Sequence, residues 1–213
     1  MLIGFDILDY FYSNEVCYVD EIDRISESTL FWSENGGWYY MPAQEDSADW
    51  NIARMVGSPC SAKKNINRVK AENSIFLVPE NKYSYFSEYP RKGCLLYFFS
   101  DKHNKKKHEK VRSPYTIEAR QNQLFLIYNG TIVGYVKPIR ESDNFVEVYI
   151  EIMPSHRGKG LGAALLNAAA EYFAQHNKGM VYIVEDTNQA SISTVKRAGF
   201  MHAETIFTFQ VIG

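Results

Sequence analysis

The sequence predicts an α/β (α+β) fold, and three observations carry that prediction. Residues 145–153, "FVEVYIEIM", alternate with period two, as a strand between two environments does. Immediately after them "HRGKGLG" (residues 156–162) runs into an alanine- and leucine-rich stretch with helical spacing. A short apolar run, "MVYIV" (residues 180–184), and a second helical stretch follow, so strands and helices interleave.

The elements can be justified in chain order. At the N-terminus, "MLIGFDILDYF" carries Asp6 and Asp9 and no basic start, so no signal peptide is expected. Runs such as "GGWYY" and "LLYFF" favour strands. Residues 30–42, "LFWSENGGWYYMP", resemble a second copy of "LFLIYNGTIVGYVKP" at 124–138. "SIFLVPEN" (74–81) and "RKGCLLYFF" (91–99) sit in the same order as "VYIVEDTN" (181–188) and "RAGFMHAETIF" (197–207). The first 100 residues therefore read as a degenerate copy of the second half, or as an accessory half. Residues 101–114, "DKHNKKKHEKVRSP", form a basic polar linker without interleaved aromatics for base stacking. From 115 to 213 the pattern is ββ–β–α–β–α–β. Strands at 122–127 and 131–136 flank "YNG", a hairpin turn signal. In the strand at 145–153, Val146, Val148, Ile150 and Ile152 share one face, and Phe145, Glu147, Tyr149 and Glu151 the other. Leu161, Leu165, Ala168, Ala169, Tyr172 and Phe173 make one helical stripe, and a second helix over 189–198 is stopped by Gly199.

Composition narrows the function classes. A net charge of −2 argues against a general nucleic-acid binder, and no run reaches 18 apolar residues, so no membrane partner is expected. Cys17, Cys60 and Cys94 are odd in number and lack metal-ligand spacing. They read as reduced core thiols of a cytoplasmic protein with no metal site.

The glycine segment carries the chemistry. The first amides of a helix lack internal partners and sit at the positive end of its dipole. Glycines there let the backbone approach an anion, and Arg157 and Lys159 add charge. The segment does not supply the G-x-x-x-x-G-K-[ST] of a Walker loop. It matches G-x-G-x-x-[GA] at Gly158, Gly160 and Ala163, which leaves a dinucleotide-binding oxidoreductase as a weaker reading, because few strand–helix units remain after it.

Arg157-x-x-Gly160-x-Gly162 between a strand and a long helix, then Asn188 after the next strand, a helix and "RAGF" (197–200), resembles the GCN5-related N-acetyltransferases. The resemblance implies a mixed, mostly antiparallel twisted sheet flanked by helices, with acetyl-CoA as cosubstrate. It implies that the backbones of Ile150 and Ile152 line the pantetheine arm and that a main-chain amide there polarises the thioester carbonyl. By the same resemblance, the amides of Arg157, Gly158, Lys159, Gly160, Leu161 and Gly162 hold the pyrophosphate, with Asn188 on the pantetheine or adenosine side. The acceptor would be a small-molecule or peptide amine.

The chain departs from the family at the catalytic positions. The usual tyrosine acid is replaced by Val195, and a tyrosine restored there is expected to raise turnover or leave it alone, provided the ring fits. The usual base face, Asn144, Val146 and Val148, is apolar. Glu147, Tyr149 and Glu151 then form either a half-exposed strand face or a shifted site, with a glutamate as base and Tyr149 as acid. Ser193, flanked by Ser191 and Thr194, is the hydroxyl near the missing tyrosine; Glu185 and Asp186 are further proton acceptors. His156 and His202 read as surface or packing residues. Trp32, Trp38, Tyr39, Tyr40 and Trp50 are core residues or the lining of an acceptor pocket. A coenzyme-binding module without turnover is the alternative that Val195 raises.

Overall fold

The structure, a computed structural model, describes residues 29–42, 51–69, 74–100, 111 and 113–211. Cys17, Trp50 and most of the basic linker lie outside them, and of Trp32 only the backbone is described. The chain forms two compact units: among the described residues, one comprises 29–96 with 204–211 and the other 97–203.

The first unit begins with β1 (Thr29–Ser33) and β2 (Gly36–Met41), an antiparallel hairpin that continues antiparallel into β3 (Asn51–Gly57). Helix α1 (Pro59–Val69) then crosses over to β4 (Ser74–Pro79), which pairs parallel with β3. A 3-10 segment, Glu80–Phe86, leads to β5 (Arg91–Ser100). The far edge of β4 takes residues Ile206 to Phe209 antiparallel. This unit is held by aromatics: Trp38, Phe76, Phe86 and Phe209 are at most 1% exposed, and the Trp38 and Phe76 rings meet edge to face at 5.0 Å. Such a pair adds about 0.5–1.5 kcal/mol beyond its area. Trp38 Nε1 also donates to the Ala62 carbonyl at 2.7 Å, so the indole enters the core with its one donor satisfied. Trp38 and Tyr39 are thus core residues, and Tyr40 packs against the same cluster.

The second unit contains β6 (Tyr115–Arg120), β7 (Gln123–Tyr128), β8 (Thr131–Glu141) and β9 (Phe145–Ile152), each antiparallel to the next. Asn129 and Gly130 both take positive φ, the two-residue turn that "YNG" predicts between β7 and β8. β6 is a strand not anticipated above, although "YTIEAR" alternates with period two; it is an exposed edge strand that none of the described residues buries. Helix α2 (Leu161–Gln175) carries the chain to β10 (Gly179–Glu185), which pairs parallel with β9. Leu161, Leu165, Ala169 and Phe173 are buried as the helical stripe requires, whereas Ala168 and Tyr172 sit at its edge. Helix α3 (Gln189–Arg197) follows and ends at Gly199, whose φ is +80°. β11 (Met201–Phe209) completes the described chain. Three successive antiparallel pairings exclude the doubly wound parallel sheet that a dinucleotide-binding domain requires.

Two expectations are corrected here. Cys60 is exposed rather than in the core, since it stands in the first turn of α1 outside that helix's buried stripe; Cys94 is buried. Glu147 does not lie on a half-exposed face. It is 6% exposed, because Arg140, its register partner on β8, places Nη1 3.3 Å from its carboxylate and draws it inward. Among the described residues, no helix is long and apolar enough to cross a membrane and no metal-ligating cluster occurs.

Candidate active site

β9 and β10 pair over three residues only, from Phe145 with Gly179 to Glu147 with Val181. Beyond that point they part, and a cleft of about 630 Å³ opens between Val148–Ile152 of β9, the start of β10's free end and the N-terminal turns of α2 and α3. A strand that has lost one neighbour presents unpaired amides and carbonyls along that edge, a template for an extended, amide-bearing ligand. Ile150 and Ile152 lie on this edge, as the sequence reading requires.

At one end of the cleft is the glycine turn. Gly158 and Gly160 have φ of +75° and +76°, in the left-handed region that side chains disfavour. The first backbone bond of α2 runs from Ala164 N to Gly160 O at 3.2 Å, so the amides before it form the open first turn. Gly160 occupies the N-cap without a side-chain cap bond. Gly162 has a different reason to be glycine: a Cβ there would stand 3.0 Å from Thr194 Cγ2, so it sets the close approach of α2 and α3. The sequence alone offers no structural explanation for this glycine; packing supplies one.

The charged side chains divide the work. Arg157 Nε donates to the Ile152 carbonyl at 2.7 Å and so ties the turn to the end of β9, while its residue still lines the cleft. Lys159 bends back to the Ser155 carbonyl, 3.3 Å away, and Leu161 buries its side chain in the core; each can offer only its backbone to the cleft. Arg197, the first residue of "RAGF", has no role expected from the sequence and fills the gap. Arg197, in the last turn of α3, brings Nη1 to within 3.7 Å of where a Gly160 Cβ would stand. Its signal was the spacing of α3, which returns a residue to the cleft mouth after Ser193 and Thr194. Asn188 caps α3: its Oδ1 accepts from Ser191 N at 3.1 Å, which leaves the amide Nδ2 as the end it can offer to a ligand.

Across β9 from this end are the titratable candidates. Glu151 accepts a hydrogen bond from the Tyr135 hydroxyl at 2.9 Å. That carboxylate, with a smaller contribution from burial, holds the Tyr135 phenol above the ordinary tyrosine range. Tyr149 is 42% exposed, with Lys137 Nζ 5.7 Å from its ring centroid. Glu147, Tyr149, Glu151 and Ser193 all line the cleft, as does Glu185; Asp186 does not. His156 is held by the Tyr115 hydroxyl at 3.0 Å and by the Tyr128 ring, and His202 packs edge-on to Phe98, so both are packing residues.

Val195 is fully buried. The condition that a tyrosine ring fit at this position is not met. Val195→Tyr is expected to destabilise the protein by about 1–3 kcal/mol through overpacking and to give no gain in turnover. Thermal denaturation beside a rate assay checks this; an unchanged melting temperature with a higher rate would reverse it.

Comparison with known proteins agrees with this geometry. The acetyltransferase (GNAT) family model matches residues 82–200, more than half of the chain. A GCN5-related N-acetyltransferase from Kribbella flavida superimposes with a TM-score of 0.67 at 12% identity, covering 99% of this chain and 98% of its own. An acetyltransferase from the GNAT family of Colwellia psychrerythraea gives 0.59 at 12% identity, with 97% and 98% covered. A tandem GNAT protein from the clavulanic acid biosynthesis pathway gives 0.58 at 12% identity, with 82% and 78% covered. No curated protein matches the sequence itself.

Proposed function

Because the chain belongs to the acetyltransferase (GNAT) family, we propose that it transfers the acetyl group of acetyl-CoA to a primary amine by direct attack. The observation that carries this reading is the joining of two features in one cleft. A free edge of β9 suits the amides of a pantetheine arm, and it ends at an open helix turn flanked by Arg157 and Arg197, which suits a pyrophosphate. When bound, acetyl-CoA supplies the activated acyl carbon. The chain's own part is to hold the phosphates with backbone amides, to orient the thioester along β9 and to take the proton from the amine. Glu151, positioned by Tyr135, is the base in this reading. Glu147 is the weaker candidate, because Arg140 already engages its carboxylate. The exposed thiol of Cys60 favours a cytoplasmic setting.

The first unit is read as a degenerate copy of the second. β3–α1–β4 repeats the parallel crossover β9–α2–β10, and a structural neighbour is a tandem protein. Its helix start is not an anion cradle. The Glu34 and Asn35 side chains accept from Ser61 Oγ at the start of α1, and a Cβ on Gly36 would run into the Ser58 backbone. The Glu34 carboxylate beside this helix start disfavours a phosphate there.

A thermal-shift and transfer assay tests the proposal. Acetyl-CoA at about 100 times its dissociation constant should stabilise the fold by roughly 2.7 kcal/mol, with no comparable effect of NAD, and radiolabelled acetyl should appear on one of a panel of amines. A shift with NAD and none with acetyl-CoA would sink the reading. A shift without transfer to any amine would favour a coenzyme-binding module, the reading that the buried aliphatic Val195 supports.

A further inference from the structure

We propose that Tyr182 is the proton donor to the departing thiolate, an inference that rests on the acetyltransferase reading above. It follows from where the strands part. The parallel register runs Gly179 with Phe145, Met180 with Val146 and Val181 with Glu147. Tyr182 is therefore the first residue of β10 beyond the last pair, at the apex of the cleft. Continuing that register sets it across from Val148, on the face of Val148, Ile150 and Ile152. Glu151 and Tyr149 occupy the opposite face of β9. The group that takes the amine's proton and the group that gives one to sulfur would then stand on different faces of β9, so each can serve its own atom as the adduct forms and collapses.

Tyr182 is only 8% exposed, yet it lines the cleft. Ser191, in the first turn of α3, is another cleft-lining residue. Burial holds the phenol above the ordinary tyrosine range, which keeps its proton in place at neutral pH. Ser191 acts in the other direction, because its hydroxyl can donate to the phenolate oxygen once the proton has left. The other hydroxyls of the cleft are less suited. Thr194 Oγ1 is committed to the Ala190 carbonyl at 2.8 Å, Ser193 is exposed, and Tyr149 is on the amine's side.

The amine nitrogen forms the C–N bond with the acetyl carbon, and the C–S bond breaks with its electron pair passing to sulfur. The Tyr182 O–H proton then moves to sulfur, giving a neutral thiol. The proton lost by the amine passes to Glu151 and on to solvent, and solvent returns one to the phenolate.

The test is Tyr182→Phe in the full chain, with three readouts. Calorimetry should show acetyl-CoA affinity within about threefold of the parent, and the transfer rate should fall by about 10²- to 10³-fold. The third readout needs no turnover. Titrating the protein with CoA at alkaline pH should change the tyrosinate absorbance of the parent, whereas desulfo-CoA should not, and Tyr182→Phe should lose the CoA response. Should the phenylalanine variant fail to fold, Ser191→Ala serves instead: it removes the partner that favours phenolate, so the alkaline tyrosinate transition should move to higher pH and the rate fall about tenfold. A parent that transfers acetyl with a Tyr182→Phe variant equal to it in rate would overturn the assignment of Tyr182 alone. So would a Ser191→Ala variant with an unmoved transition. A parent that binds neither acetyl-CoA nor CoA would overturn the acetyltransferase reading itself.

Discussion

Gly160→Val is expected to lower acetyl-CoA affinity by at least about 100-fold, roughly 2.7 kcal/mol, in a protein that remains folded. The residue takes φ of +76°, where a β-branched side chain is strained by about 1–3 kcal/mol. That cost falls within the stability of an ordinary domain. A Cβ at this position meets nothing closer than Arg197 Nη1 at 3.7 Å, so the variant has no core clash to unfold it. What it does have is a branched group in the mouth of the open amide turn and against the guanidinium that faces it. Isothermal titration beside far-ultraviolet circular dichroism separates the two effects. Full affinity in a folded variant would place the phosphates elsewhere on the chain.

The second large effect is expected from Glu151→Gln, a loss of about 10²- to 10⁴-fold in kcat with acetyl-CoA affinity kept. The amide oxygen can still accept the Tyr135 hydrogen bond, so the geometry at 2.9 Å is retained while the proton acceptor is gone. Glu147→Gln should act first on stability, since it weakens the Arg140 pair in a nearly buried setting. The comparison of kcat for the two variants decides between the carboxylates. A Glu151→Gln enzyme at the parental rate would remove Glu151 from proton transfer and leave Glu185 or solvent as the acceptor.

How far the sequence alone reached can be argued from particular residues. The hairpin at Asn129–Gly130 was legible because only residues that tolerate positive φ fit that turn, and the period of two in β9 was legible because a strand alternates its faces. The helix start at Gly160 was legible for the same kind of local reason. The burial of Glu147 was not, because the partner that draws it in, Arg140, stands across the sheet in a register set by a bulge between Pro138 and Arg140. The edge strand β6 was not assigned either, although "YTIEAR" alternates with period two; its short run next to the polar linker left it without a partner strand until the register with β7 supplied one.

The sequence by itself determined the order of strands and helices after residue 115, the glycine turn and the family resemblance it carries. These depend on backbone dihedrals and on spacing within a few residues, which the chain encodes locally. Only the tertiary structure decided which side chains share the cleft. Arg197 reaches Gly160, Gly162 makes room for Thr194, Tyr135 steadies Glu151, and Tyr182 stands where β9 and β10 separate. Each of these joins residues on different elements, and their meeting is fixed by strand register and helix packing, which act between distant parts of the chain and leave no local pattern in it.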